Sequence, residues 1–175
     1  KVAYAKSKGI DFIICDHHRP GKELPSAVAI LNPKRSDCNY PFKELCGCGI
    51  GFKLIQALAS KDNQAVESLL SYLDLVATAI GADIVPIVGE NRALAYLGLQ
   101  VINSKPRPGF MAIISQIKKE TLTMTDVVFN IAPRINAAGR MMHGNYAVEL
   151  MKETDLKNAK SAAIEIENYI FRSTL

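Results

Sequence analysis

Apolar residues occur first in short unbroken runs and later at helical spacing. Phe12-Ile13-Ile14-Cys15 is the first, within a strand predicted over Ile10–Cys15, and Ala27-Val28-Ala29-Ile30-Leu31 forms a second. Short, β-branched runs bounded by turn residues are expected of buried strands in a parallel sheet. Val2 to Lys8 reads as the last turns of a helix stopped by Gly9. Polar loops at 16–25 and 34–45, rich in Pro, Lys and Asp, separate the runs. Helix, strand, loop and strand in this order predict α/β topology.

Beyond residue 46 the period changes. Ile50, Leu54, Ile55 and Leu58 recur at helical spacing within Ile50–Ser60. Gly47, Gly49 and Gly51 open that segment, either to let backbone approach a phosphate or, the favoured reading, to let the helix pack closely on a strand. Helices are predicted over Ala65–Leu70, over Leu73–Ala82 (as helix or helix–strand), from Glu90-Asn91-Arg92 onward, over Phe110–Ile117 and over Asn145–Lys152. Thr125 is the expected N-cap for Asp126–Asn130. Asp155 is expected to cap a final helix, 156–175, with apolar positions Ala159, Ala162, Ala163, Ile166 and Ile170 and an exposed, charged remainder. The predicted fold is therefore α/β, a parallel sheet flanked by helices, with a helix-rich C-terminal half ending in a linker helix.

Composition narrows this little. At 49% hydrophobic and 22% charged, 175 residues suffice for one globular core. No apolar run approaches the length of a membrane span. The net charge of +4 permits a phosphate-bearing partner without demanding one. Residue 1 is Lys, and helical sequence begins at once, so the chain is expected to be a piece of a longer protein. Cys15 is expected in the core. Cys46-Gly47-Cys48 lacks the second well-spaced pair of a zinc site, so reduced thiols in a cytoplasmic protein are the simpler expectation.

Three places carry candidate chemistry. Asp16-His17-His18 follows the first predicted strand directly, and ligands bind beyond the carboxyl ends of strands in open α/β sheets. Imidazole nitrogen and carboxylate oxygen suit manganese, zinc or iron; the alternative is a hydrated turn that happens to contain histidine. Asp83 is a lone carboxylate in an apolar run, and a buried carboxylate must be paired or bound to a cation. The alternative is a helix-capping role, for which Asp74 is better placed. Arg134, Asn136 and Arg140 sit among small residues in a stretch punctuated by Pro133 and Gly139. The planar arginine fork matches phosphate oxygens; the alternative is two surface arginines on a loop.

In this order these pieces resemble the DHH phosphoesterase superfamily, and within it the RecJ-type single-strand-specific exonucleases. Asp16-His17-His18 matches the motif that names the superfamily. Ala79-Ile80-Gly81-Ala82-Asp83-Ile84-Val85-Pro86 is similar to its later acidic motif, with Ala79 where the family has glycine. Glu90-Asn91-Arg92 with Gly98-Leu99 resembles the stretch after it, and Pro133-Arg134-Ile135-Asn136-Ala137-Ala138-Gly139-Arg140 resembles a RecJ-type segment. Two earlier family motifs, a His-x-Asp-x-Asp run and a separate Asp, have no room in the fifteen residues before Asp16.

The resemblance implies that residues 1–152 are the later part of a DHH catalytic domain and that 153–175 begin a linker helix to a further domain. It implies 5′-to-3′ hydrolysis of single-stranded DNA in repair and recombination, using two manganese or magnesium ions. The two-ion site would be incomplete in this chain, and the chain alone inactive. His17 and Asp83 would ligate one ion, His18 would face the scissile phosphate, and Asp16 would orient an imidazole. Arg134, Asn136 and Arg140 would hold DNA backbone. Single-strand-binding protein and a helicase are the further partners implied. The competing readings are another DHH phosphoesterase, acting on oligonucleotides, cyclic dinucleotides or pyrophosphate, and a non-catalytic DNA-binding relative.

Overall fold

The computed structural model describes residues 1–117, 119–141 and 144–173, apart from the side chains of Arg140, Met141 and Ser173. Helix α1 (Val2–Ser7) ends where Gly9 turns the backbone at φ +68°, a conformation open to glycine. Strands β1 (Ile13–Cys15) and β2 (Ala29–Leu31) pair in parallel, with Ile14 opposite Ile30. Both are shorter than the apolar runs suggest, yet the ladder extends past them. Val28 donates to the Phe12 carbonyl at 2.9 Å, and Asp16 donates to the Leu31 carbonyl at 3.0 Å.

The α/β reading holds, but β1 is not buried. Ile13 is 56% exposed, and Cys15 is exposed rather than in the core. Among the described residues β1 has a strand neighbour on one edge only, and the helix it contacts is α2.

Helix α2 (Gly47–Lys61) starts at Cys46, whose Sγ accepts the Gly49 N–H at 3.3 Å. Gly49 lies against the Leu45 and Cys46 side chains of the preceding loop, not against a strand as expected, and Gly51 has nothing within 4 Å of an added Cβ. A 3₁₀ segment, Val66–Tyr72, replaces the predicted α-helix and runs into α3 (Leu73–Ala82). Helix α4 (Gly89–Ser104) crosses α3 at Gly98, where a Cβ would collide with the Leu73 carbonyl oxygen and lie 2.6 Å from the Ala77 Cβ. Helix α5 (Pro108–Ile114) opens with proline in its first turn, where the missing N–H is harmless.

The next segment departs most from expectation. The single turn α6 (Met124–Asp126) is capped by Thr123, not Thr125. Thr123 and Asp126 exchange bonds as a capping box, with the Thr123 N–H donating to Asp126 Oδ2 at 2.9 Å. A π-helical turn, Val127–Ile131, leads directly into α7 (Ala132–Met141). The stretch expected to be broken by Pro133 and Gly139 is thus helical. Pro133 stands two residues after the π-helical turn, in a helical run already under way, and such irregularities are where a helix accommodates a proline. Helix α8 (Gly144–Lys152) follows. Helix α9 (Leu156–Ser173) is capped as expected by Asp155, whose Oδ1 accepts the Asn158 N–H at 2.9 Å. It is no exposed linker over its length, because Ala159, Ala163 and Ile166 are buried against α5, α7 and α8.

Two apolar clusters meet at α3. Val76 and Ile80 join Leu45, Ile50 and Leu94 on one side. Ala77 joins Phe110, Ile113, Val127 and Ile166 on the other. Asp74, expected as a cap, is buried in the first turn of α3, and both its oxygens bind Arg107 at 2.7 Å.

Gly98→Ala should force α4 off α3 and lower unfolding free energy by about 1–3 kcal/mol, the usual range for overpacking. Gly51→Ala, in α2 with nothing within 4 Å of the added carbon, should instead stabilise by roughly 0.5–1 kcal/mol. Urea midpoints for both variants check the pair; equal effects would remove the packing argument.

Asp126 supplies a pH prediction. The Lys119 ammonium at 2.6 Å, with the Thr123 N–H and hydroxyl, holds its carboxyl at about 2, below the ordinary 3.8. The ionised form is the one bonded in the fold. Its contribution is therefore complete above the ordinary value and is lost as pH falls through about 2. Asp126→Asn should flatten the acid limb of the stability curve between those values and leave its slope near neutrality unchanged.

Candidate metal and phosphate site

Strand β1 delivers Asp16, and Asp16 organises the turn that follows it. Its Oδ1 accepts the His17 N–H at 2.8 Å and the His18 N–H at 3.2 Å, and lies 2.8 Å from His18 Nδ1. The contact with the His18 side chain, helped by these two N–H groups, holds the Asp16 carboxyl below its usual range. With Nδ1 engaged, His18 turns its Nε2 outward on a side chain that is 78% exposed. The His17 ring sits 4.4 Å from the His18 ring, centroid to centroid, and lies over the start of α2 at Gly47.

Asp83 arrives from the other direction, at the C-terminal end of α3. Its N–H continues the helix to the Ala79 carbonyl at 2.9 Å, and its Oδ2 stands 3.7 Å from His17 Nε2. These two residues are 66 positions apart in the chain. The carboxylate is not buried, as the apolar run around it suggested: its side chain is 38% exposed, because α3 ends here and the chain leaves the core. An imidazole nitrogen and a carboxylate oxygen at this spacing can share one ion lying about 2 Å from each. Among the described residues no third His, Cys, Asp or Glu completes a cluster. The pair therefore fits part of a metal's ligand set.

Two asparagines given no role at the site by the sequence, Asn91 among them although it lies in the Glu90-Asn91-Arg92 stretch, hold this arrangement. Asn32, 4% exposed, donates from Nδ2 to the His18 carbonyl at 2.8 Å and accepts the Lys34 N–H at 2.9 Å. Asn91 is wholly buried and donates to the Glu44 carbonyl at 2.6 Å and the Pro86 carbonyl at 3.0 Å. It thereby joins the loop after Asp83 to the loop before α2. A signal for Asn91 was present: it shares its buried stripe on α4 with Leu94, Ala95, Gly98 and Ile102.

The segment expected to hold phosphate lies on α7, which packs against α3. Arg134 is directed elsewhere than the histidines. Its Nε and Nη2 bind both oxygens of Glu167 on α9 at 2.9 Å, and its Nη1 donates to the Asn130 carbonyl at 2.8 Å. Asn136 is exposed on α7. The side chain of Arg140 lies outside the described residues.

A parallel strand pair ends in Asp-His-His, a carboxylate returns to it from the end of α3, and over its first part the chain is similar to the DHH family. Residues 1–80 match the family's N-terminal domain. Within it the similarity is to RecJ proteins. The single-stranded-DNA-specific exonuclease RecJ of Escherichia coli K12 is 38% identical over 95% of this chain and 31% of its own length. The protein of the same description from Bacillus subtilis 168 is 41% identical over 93% of this chain and 20% of its own. A crystal structure of exonuclease RecJ bound to manganese superposes with a TM-score of 0.85 and 30% identity, covering 98% of this chain and 43% of that one. RecJ from Thermus thermophilus in complex with manganese gives 0.83 and 31%, covering 95% and 25%. The chain thus spans about a third or less of the length of these curated relatives.

If the Arg134 fork chiefly docks α9, Arg134→Ala and Glu167→Ala should each destabilise the protein, with a coupling of roughly 0.5–1 kcal/mol for so partly exposed a pair. A double-mutant cycle in urea measures this. Zero coupling would show that the Arg134–Glu167 pair does not dock α9.

Proposed function

We propose that the protein to which this chain belongs is a metal-dependent exonuclease that degrades single-stranded DNA from the 5′ end, in DNA repair and recombination, in the cytoplasm. In this reading residues 1–152 serve the catalytic domain, and 153–175 open a connecting helix that is also docked on it. The observation that carries the proposal is the meeting of His17 and Asp83 at 3.7 Å. Asp83 is 38% exposed and His17 17%, so the pair can be reached from solvent beside a second histidine. The similarity to RecJ proteins supports the substrate and direction. The neighbouring structures solved with manganese or with magnesium support those ions.

His17 and Asp83 would hold one ion of the site. Such an ion, when bound, polarises phosphate oxygens and lowers the pKa of attached water. The chain's own groups do the rest. Asp16 fixes the His18 ring through Nδ1, so that Nε2 can meet the oxygens of the scissile phosphate. Arg134, Asn136 and Arg140 would line the backbone of the strand. Arg134 would have to share its guanidinium between Glu167 and phosphate, whereas Asn136 is exposed on α7. Single-strand-binding protein and a helicase are the proposed partners.

In the full-length protein His17→Ala and Asp83→Ala should each remove hydrolysis and weaken manganese binding while keeping most DNA affinity. Asp16→Ala should keep both ligands but loosen their frame, with a loss of about 10–100-fold in metal affinity. Manganese titration beside an exonuclease assay checks all three. Wild-type turnover in His17→Ala would end the proposal.

A further inference from the structure

Between the loop that follows His18 and the turn that follows β2 lies an open cleft of about 690 Å3. Arg19, Lys22, Lys34, Arg35 and Lys43 line it, against one carboxylate, Glu44. The whole chain carries a net charge of +4. The cleft gathers five cations against one lining carboxylate, with Asp37 outside the lining paired to Arg35.

Three of the five cations are engaged. Lys34 pairs with Glu44 at 3.3 Å, and Lys43 donates to the Cys38 carbonyl at 2.6 Å. Arg35 binds both oxygens of Asp37 and the Ile30 carbonyl. Arg19 and Lys22 are exposed, and neither has a side-chain partner among the described residues. The two walls hold a fixed relation. The buried Asn32 amide bonds the His18 carbonyl on one wall and the Lys34 N–H on the other. The free cations thus stand on a braced frame that starts at the residue after His18. Like charges gathered around a concave, braced surface raise the local concentration of anions.

We infer that this cleft holds backbone phosphates of the nucleic-acid strand beyond the phosphate at the histidines. The inference rests on the nuclease reading above and extends it to a surface that reading does not use. Apart from its five cations and Glu44 the lining is built of Pro, Gly and Ser, with no aromatic side chain. Stacking of bases is therefore absent from the recognition, which is of phosphate and indifferent to sequence. Such binding falls steeply with salt, by about 0.7 in the log–log slope for each phosphate contact on a single strand.

The test uses the full-length protein with manganese, an Arg19→Ala/Lys22→Ala double variant, a Lys22→Glu variant and His17→Ala. Affinity for a single-stranded oligonucleotide is measured over a salt series, and turnover is measured on that strand and on a dinucleotide too short to reach the cleft. The double variant should lose about 1.4 from the slope, two contacts at 0.7 each. Its KM for the long strand should rise while dinucleotide turnover stays at the wild-type rate. Lys22→Glu should weaken long-strand binding relative to wild type, because it sets a carboxylate against the phosphates. An unchanged slope overturns the inference, whether or not the cleft takes up an acidic polypeptide. Loss of dinucleotide turnover in the double variant also overturns it, by placing these residues at the reacting phosphate. Failure of the nuclease reading itself is read separately, in wild-type hydrolysis by His17→Ala.

Discussion

The carboxylate of Asp74 is 1% exposed, and both of its oxygens are held by Arg107 at 2.7 Å. Breaking one side of such a buried pair costs roughly 3–5 kcal/mol, because the other charge is left without water or partner. The same guanidinium donates to the Ser71 carbonyl at 3.1 Å and to the Met151 carbonyl at 3.3 Å. One side chain at the entrance of α5 therefore ties together the 3₁₀ segment, the start of α3 and the end of α8. Helix α3 is the wall between the two apolar clusters, so fixing its first turn sets the position of both. The far end of the same helix presents Asp83. The position of the candidate ligand is thus set from the opposite end of a helix clamped by a buried ion pair.

The histidines are fixed by a separate system. Asp16 and Asn32 brace their turn against the end of β2, where backbone bonds continue the strand pairing. The two systems meet through α2. Its first turn lies under the His17 ring, while Ile50 and Phe52 pack into the cluster that holds Val76 and Ile80 of α3. Asn91 adds a bridge between the loops on either side of the gap. The separation of His17 and Asp83 is therefore a property of packing across α2 and α3, with no covalent or sheet connection between the two residues. A change in the volume of Ile50 or Ile80 acts on it as directly as a change in the loop beside it.

What the sequence made legible was local. The Asp-His-His turn sits where an apolar run ends, Leu73–Ala82 is helical over the expected residues, and Asp155 caps its helix. Burial was less legible, because it depends on what covers a residue. The run ending in Cys15 has the composition of a core strand, yet Ile13 and Cys15 are exposed. Partner choice was illegible for the same reason. Arg134 meets Glu167, 33 positions later, only because α9 docks beside α7, and Asp74 meets Arg107 across a comparable gap. Punctuation misled where tertiary packing outweighed it. Pro133 and Gly139 suggest a broken segment, but the apolar positions Ile131, Ile135 and Ala138 form a helical stripe onto the second cluster. Thr123 outranks Thr125 as a cap because Asp126 stands three residues after it, completing the reciprocal box.

Residue Ile84, directly after Asp83, is held at φ +53° and is 83% exposed. A β-branched residue in the left-handed region is disfavoured by roughly 1–2 kcal/mol, because its Cβ crowds the backbone. Glycine would adopt that conformation without strain, and the exposed Ile84 side chain gains too little apolar burial to offset it. The conformation persists because both flanks are fixed. Asp83 still belongs to the last turn of α3, and the Pro86 carbonyl is tied to Asn91. The chain must turn sharply between those two anchors, and Ile84 absorbs the turn. The strain lies one residue from the carboxylate that faces His17. Local backbone cost of this kind survives only where surrounding structure over-determines it. Here the surroundings are the buried ion pair at one end of α3 and the Asn91 amide at the other. Helix, turn and loop thus act as one brace whose least relaxed point is the exit from Asp83, and releasing either anchor frees Ile84 and Asp83 together.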